Sequence, residues 1–134
     1  MLREIIDAIS RALKDNFKDK KVWEYPVDKG YTDGDFVLKL EKTATAPKPS
    51  GYIFHTLTFI LECRYLRNGG FYDLLIPLET AIDVIELESG IMLRANIIEN
   101  KIDDDKLTFE FSYSFYSMSG QDNSEDMMEG LEIE

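Results

Sequence analysis

From Leu107 onward apolar and polar positions alternate. Leu107, Phe109, Phe111, Tyr113 and Phe115 fall on one side of an extended chain, and Thr108, Glu110, Ser112 and Ser114 fall on the other. The pattern predicts a half-buried strand over residues 106–117, preceded by a strand over 91–98 and joined to it by a polar turn containing Asp103-Asp104-Asp105. At the start of the chain the period changes. Leu2, Ile5, Ile6, Ile9, Leu13 and Phe17 recur every three or four residues, the spacing of one helical stripe, while Arg3, Asp7, Arg11, Lys14 and Asp15 face mostly outward. Residues 15–20 end this helix, and Lys18, Lys20 and Lys21 lie where cations favour its last carbonyls.

Between these ends the pattern gives four more segments. A strand over 21–27 carries Pro26, which cannot donate to a ladder, so it is expected at an edge or to stop there. Turn residues fill 28–35, and a second strand covers 36–42 with Phe36, Leu38 and Leu40 inward. Residues 43–51 are small, include Pro47 and Pro49, and show no hydrophobic period, which reads as an exposed loop. A strand over 52–65 has apolar residues on both faces, as a central strand or one meeting a partner does. Arg67-Asn68-Gly69-Gly70 breaks it, and a second helix over 71–88 follows with Leu74, Leu75, Leu78, Ala81, Ile82 and Ile85 in a stripe and Glu88-Ser89-Gly90 at its end. Pro77 implies that this helix either kinks or becomes regular only from there. The expectation is an α+β fold: a single small domain, a mainly antiparallel five-stranded sheet with two helices packed on it, in the order α-β-β-β-α-β-β.

Composition sharpens this. A chain of 134 residues, 44% of them apolar, suits one domain with a full core, placed at 1–118. Residues 119–134 hold six acids and no aromatic residue, and are expected to form an acidic, flexible tail. The chain carries 26 acids against 15 bases, a net charge of −11, and without that tail 20 acids still face 15 bases. Tight nucleic-acid binding, which relies on Lys and Arg neutralising phosphates, is therefore not expected, although DNA passing nearby is compatible with such a surface. No apolar run approaches a membrane span and the first helix is no secretory signal, so a soluble protein without a membrane partner is expected. The one cysteine, Cys63, cannot form an internal disulfide and lies in an apolar run, the setting of a buried, inert thiol.

Candidate chemistry is sparse. His55 is the only histidine, so a zinc or His-based nucleophilic site lacks its partners, and His55 reads as a structural or interface residue. Gly69-Gly70 precedes a helix without the lysine of a phosphate loop. Three consecutive aspartates at 103–105 project in different directions and read as a solvated turn. The aromatic run Phe109 to Tyr116 has no interleaved bases and reads as a core face rather than a stacking platform. No enzyme, cofactor or metal site is expected. A small open sheet does leave two edges to be covered, charged or paired, and self-association is a natural solution.

The segments IIDAISRALKDNF, KVWEYPVDKGYTDGDFVLKL and HTLTFILECRY, followed by NGGFYDLLIPLETAIDVIE and MLRANIIENKIDDDKLTFEFSYSFY, resemble the tail terminator (tail completion) proteins of tailed bacteriophages over most of residues 1–118. The resemblance implies a structural virion protein of a phage tail or tail-like bacteriocin particle, contractile tails included, assembled in the bacterial host cytoplasm. It further implies a hexameric ring that caps the head-proximal end of the tail tube, ends its polymerisation and joins it to the neck or collar. Its partners would be further copies of itself, the tube protein, and sheath and neck or collar proteins. Thr43, Ala44, Thr45, Ala46, Pro47, Lys48, Pro49 and Ser50 are the candidate subunit or partner contacts. A neck or head-completion adaptor, or a stand-alone protein-binding module, is the alternative.

Overall fold

A computed structural model of the chain describes residues 2–26, 34–64, 70–103 and 106–118. Helix α1 (Leu2–Asn16) is followed by strands β1 (Val22–Glu24), β2 (Phe36–Pro47) and β3 (Tyr52–Arg64), helix α2 (Gly70–Asp83), and strands β4 (Val84–Glu86), β5 (Met92–Asp103) and β6 (Lys106–Met118). The strands form one sheet in the order β1-β2-β3-β6-β5-β4. Helices α1 and α2 lie together against one face, and their buried residues Ile5, Ile9, Leu13, Leu74, Leu78 and Ile82 meet the sheet's aromatic rows.

The inward alternation read from the sequence holds along the middle of the sheet. Cross-strand rows run Phe36–Cys63–Leu107, Leu38–Leu61–Phe109 and Leu40–Phe59–Phe111, with β3 central between β2 and β6. Phe36, Phe59, Phe109, Phe111 and Tyr113 are fully buried; taking each out of water contributes roughly 1.5–3 kcal/mol. The Phe59 and Phe111 rings stack at 5.9 Å, and Phe17 meets Phe36 edge-on at 5.2 Å.

Four expectations change. Among the described residues the sheet has six strands, not five, because α2 stops at Asp83 and Val84–Glu86 pairs with Met92–Arg94 of β5. Ile85 is buried by a strand's alternation as well as it would be by a helical stripe, so periodicity could not separate the two. Glu88-Ser89-Gly90 is accordingly the turn of this hairpin and not a helix end: Leu87 N–H donates to Ile91 O, Gly90 N–H donates to Leu87 O, and Gly90 has φ +94°. The antiparallel pattern also has one exception, since β1 runs parallel to β2 with Val22 opposite Phe36. This junction is held by Asp35, a buried acid whose carboxylate accepts from Lys21 N–H and Trp23 Nε1–H at 3.1 Å each.

The helix around Pro77 is continuous from Gly70, and both Pro77 and Asp73 are exposed, which leaves the amide lost at proline on the solvent side. The fourth change concerns residues 43–51. Thr43–Pro47 belong to β2, which is 12 residues long, and the turn is confined to Lys48–Gly51. A bulge at Glu41, between the pairs Leu40–Phe59 and Lys42–Thr58, resets the alternation so that Thr43, Thr45 and Pro47 share the face of Leu40. Residues 1, 27–33, 65–69, 104–105 and 119–134, with the turn, break and tail expected there and the last residue of the strand expected over 21–27, lie outside the described residues.

Candidate functional site

The distal parts of β2, β3 and β6 run past the helices as a three-stranded arm. Its registers are Thr43–Leu57–Tyr113, Thr45–His55–Phe115 and Pro47–Ile53–Ser117 on the helix-facing side, and Ala44–Thr56–Ser114 and Ala46–Phe54–Tyr116 on the reverse. At its tip Lys48 N–H donates to Tyr52 O at 2.8 Å and Gly51 N–H to Lys48 O at 3.1 Å. Gly51 has φ +91° with open space around it, so the turn needs glycine for its backbone and not for room. Of the residues singled out from sequence, Thr43, Ala44, Thr45, Pro47, Lys48, Pro49 and Ser50 are exposed and Ala46 is half-buried, all along this arm.

Each face of the arm has its own chemistry. On the reverse face Tyr116 lies between Phe54 (4.8 Å) and Tyr52 (6.2 Å), Lys48 Nζ sits 5.7 Å above the Phe54 ring, and Met118 pairs with Tyr52. Tyr116 is 59% exposed, Met118 50% and Tyr52 44%, an uncovered aromatic cluster at the tip. On the other face His55 stacks on Phe115 at 5.0 Å, and its Nε2 is 2.7 Å from Ser117 Oγ. Burial holds the His55 pKa below its ordinary value. Between the two ends Asn96 Nδ2–H donates to Ser114 Oγ at 2.6 Å, and Ser114 Oγ lies 3.0 Å from Thr56 Oγ1.

The sheet edges are covered over only part of their length. Strand β1 pairs with Phe36–Leu38, and Tyr25 N–H also donates to Leu38 O; beyond Leu38 the outer edge of β2 has no partner strand among the described residues. Strand β4 pairs with Met92–Arg94, which leaves the edge of β5 beyond Arg94 in the same state. A second exposed apolar patch is formed by Tyr72 and Ile76, one turn apart on α2.

Catalytic arrangements do not come together among the described residues. Cys63 is buried, donates weakly to Gly34 O at 3.3 Å, and burial pushes its pKa up to about 11, so it is not a thiolate near neutrality. His55 and Ser117 are within hydrogen-bond reach of each other, but no carboxylate orients the ring among the described residues, and nucleophile activation needs that third group. No group of three or more His, Cys, Asp or Glu is placed to hold a metal there. No helix of the described residues is long and apolar enough to cross a membrane.

What the arrangement offers is contact surface, and comparison with known proteins agrees in kind. The sequence model of a family described as "Phage tail terminator protein" matches residues 4–126. The chain belongs to the phage tail terminator family. This tail terminator is therefore a structural protein of the phage tail, placed in the virion and interacting with other tail proteins. Nothing among curated proteins matches it. A chain of known structure aligns with 92% of the terminator and 99% of its own length, at 12% identity and a TM-score of 0.47.

Sequence reasoning found the arm as a loop and missed its aromatic tip. The sequence pattern makes the run Phe109 to Tyr116 one core face. Phe109, Phe111 and Tyr113 are core, Phe115 is half-buried and Tyr116 is exposed. The available signal was the second set of the alternation: Tyr52, Phe54, Tyr116 and Met118 all fall on the polar phase of their strands, where aromatic residues are out of place in a monomer.

Proposed function

We propose that copies of this tail terminator close into a ring that caps the head-proximal end of the tail tube, ends its polymerisation and joins it to the neck or collar. The observation that carries the reading is the three-stranded arm, tipped with Tyr52, Phe54, Tyr116 and Met118, of which Tyr52, Tyr116 and Met118 are exposed, on a sheet with two unlike edges that are unpaired over part of their length among the described residues. The edge of β2 differs from that of β5, so an edge contact between copies is heterologous, and heterologous contacts make rings when the rotation closes. Aromatic side chains at a tip are the usual energetic centres of such contacts. Thr43–Ser50 then serve as contacts to a neighbouring copy or to the tube layer. The net charge of −11 suits a channel that DNA passes through without being held. The mechanism is geometric: one ring face accepts the last tube layer and the other offers no site for another.

The test combines mass and tail length. Native mass spectrometry of the purified protein is expected to show a closed oligomer, hexameric as the family resemblance implies, and Phe54→Asp with Tyr116→Asp is expected to leave folded monomers. Phage complemented by that double variant should produce tubes of uncontrolled length. A wild-type chain that stays monomeric at all concentrations, or a double variant that still yields normal tails, would reject the reading.

A further inference from the structure

Four of the fifteen cationic residues of this acidic chain surround one shallow cleft. It lies where α1 ends and β1 begins, has a volume of about 520 Å³, and carries Lys14, Lys18, Lys20 and Lys21 around an apolar floor of Val22 and Trp23, with Asp15 as the acid on its wall. Part of this charge has a local explanation, because cations favour a helix C-terminus. Lys20 Nζ donates to Gly34 O at 2.9 Å, and Lys21 Nζ lies 5.9 Å over the Trp23 ring. Lys14 and Lys18 are exposed, and none of the four lysines forms an ion pair among the described residues. Among the described residues the cleft is thus a positive pocket, four lysines against Asp15, on a protein whose net charge is −11.

The sequence supplies a matching ligand. Residues 119–134, SGQDNSEDMMEGLEIE, contain six acids and no base, with Met127, Met128, Leu131 and Ile133 set between them. In chemistry its acids suit a lysine rim and its methionines a tryptophan floor. A polynucleotide would answer the rim, and its bases the tryptophan, but it would approach against the overall charge of the chain.

Geometry selects whose cleft is filled. Residue 119 follows Met118, which pairs with Tyr52 at the arm tip, whereas the cleft lies beyond Phe36, Cys63 and Leu107 at the opposite end of the strands. Strand β6 has 13 residues, and at about 3.4 Å per residue the two ends are roughly 40 Å apart. Sixteen residues fully extended reach at most about 55 Å. Reaching the cleft of the same copy would therefore stretch roughly twelve residues taut and leave Glu132 and Glu134 as the acids to bind. A neighbouring copy whose cleft lies near this arm tip can meet all six.

We infer that residues 119–134 dock in the Lys14–Lys18–Lys20–Lys21 cleft of an adjacent copy and clip neighbouring subunits together. The inference rests on the ring reading, since it needs a second copy. Full-length protein is prepared as an equal mixture of ordinary and nitrogen-15-labelled chains and joined with a zero-length carbodiimide, which links a carboxylate only to an amine it touches. The expected products link Lys14 or Lys18 to a carboxylate between Asp122 and Glu134, with half of the linked pairs of mixed label. Their yield should fall about tenfold near 1 M NaCl, where the screening length is about 3 Å. It should fall likewise in Lys14→Glu with Lys18→Glu, two exposed positions whose exchange leaves the core, and with it the far-ultraviolet circular dichroism and the urea midpoint, unchanged. Oligomers present by native mass but without these links overturn this inference alone, whereas absence of any oligomer removes the ring reading as well. Links confined to unmixed pairs also overturn it. A fluorescent single-stranded oligonucleotide retained by the wild type, lost in the double variant and unaccompanied by links would give the cleft to nucleic acid instead.

Discussion

Replacing Tyr113 by phenylalanine removes one hydroxyl oxygen and leaves the shape of the core intact. Tyr113 is fully buried, and its O–H donates to the carbonyl of Ile82 at 2.5 Å. Ile82 lies in the last turn of α2 (Gly70–Asp83), where carbonyls have no amide partner within the helix. The hydroxyl therefore satisfies an orphan acceptor at the point where the chain leaves α2 for β4. Leaving such a buried acceptor unpaired costs about 1–3 kcal/mol, so Tyr113→Phe is expected to destabilise by about 2 kcal/mol. For a domain of this size that lowers Tm by roughly 8 °C. Tyr116→Phe is the control, because Tyr116 is 59% exposed and the same deletion there should stay within about 0.5 kcal/mol.

Urea unfolding followed through Trp23 fluorescence measures both variants, at one fixed protomer concentration because association shifts apparent stability. A shift in midpoint with an unchanged slope is expected. Alkali adds an independent readout. Burial, and then the nearby Asp83 carboxylate, raise the Tyr113 pKa well above its ordinary value of 10.0. The stability this group contributes is fully present below about pH 10, and is lost above it, where the unfolded chain ionises and the folded one does not. That part of the alkaline loss should be missing from Tyr113→Phe. A variant as stable as the wild type, with an unchanged alkaline limb, would refute the role assigned to this hydrogen bond.

Other expectations follow from the same packing. Ser112 Oγ is buried without a hydrogen-bond partner among the described residues, so Ser112→Ala should be neutral or stabilising by up to about 1 kcal/mol in the same urea assay, and a clear loss would reveal an unseen partner. Phe111→Ala, which empties a fully buried ring site against Phe59 and Tyr113, should cost about 3–5 kcal/mol, and a cost under 1 kcal/mol would contradict the packing described. Desolvation lowers the His55 pKa, so its proton NMR titration midpoint should lie below 6.5, and the small stability tied to its neutral form should be lost as pH falls through that midpoint; a midpoint above 6.5 would contradict it. Native Cys63, with a pKa near 11, should react with iodoacetamide at pH 7.5 at least about a hundred times more slowly than in urea, and comparable rates would deny its burial.

Much of this fold was written in local periodicity. Two helical stripes and the alternation of β6 sufficed to place the core, because burial of a single face imposes a period that the sequence must carry. The tail terminator family was also legible, through segments spread over most of residues 1–118, and the match over residues 4–126 supports it. Where two structures bury the same residue, the sequence could not choose. Ile85 is inward in a helix or a strand, and only the free edge of β5 made Val84–Glu86 a strand. Thr43–Pro47 have no apolar period, yet they are β2, because β3 supplies their hydrogen-bond partners and a bulge at Glu41 sets their phase. Pairing between distant segments is not encoded in either segment alone.

The candidate surface divides in the same way. Absence of paired histidines, clustered cysteines and phosphate-loop glycines was evident from composition, and so was the acidity of residues 119–134. Tertiary structure decided that Tyr52 and Phe54 stand beside Tyr116 and Met118, although more than sixty residues separate the first from the last, and that four lysines around the end of α1 share one cleft with Trp23. Periodicity specifies which side of an element is buried. Only the assembled sheet and helices determine which exposed sides become neighbours, because that depends on strand order and register across the whole chain.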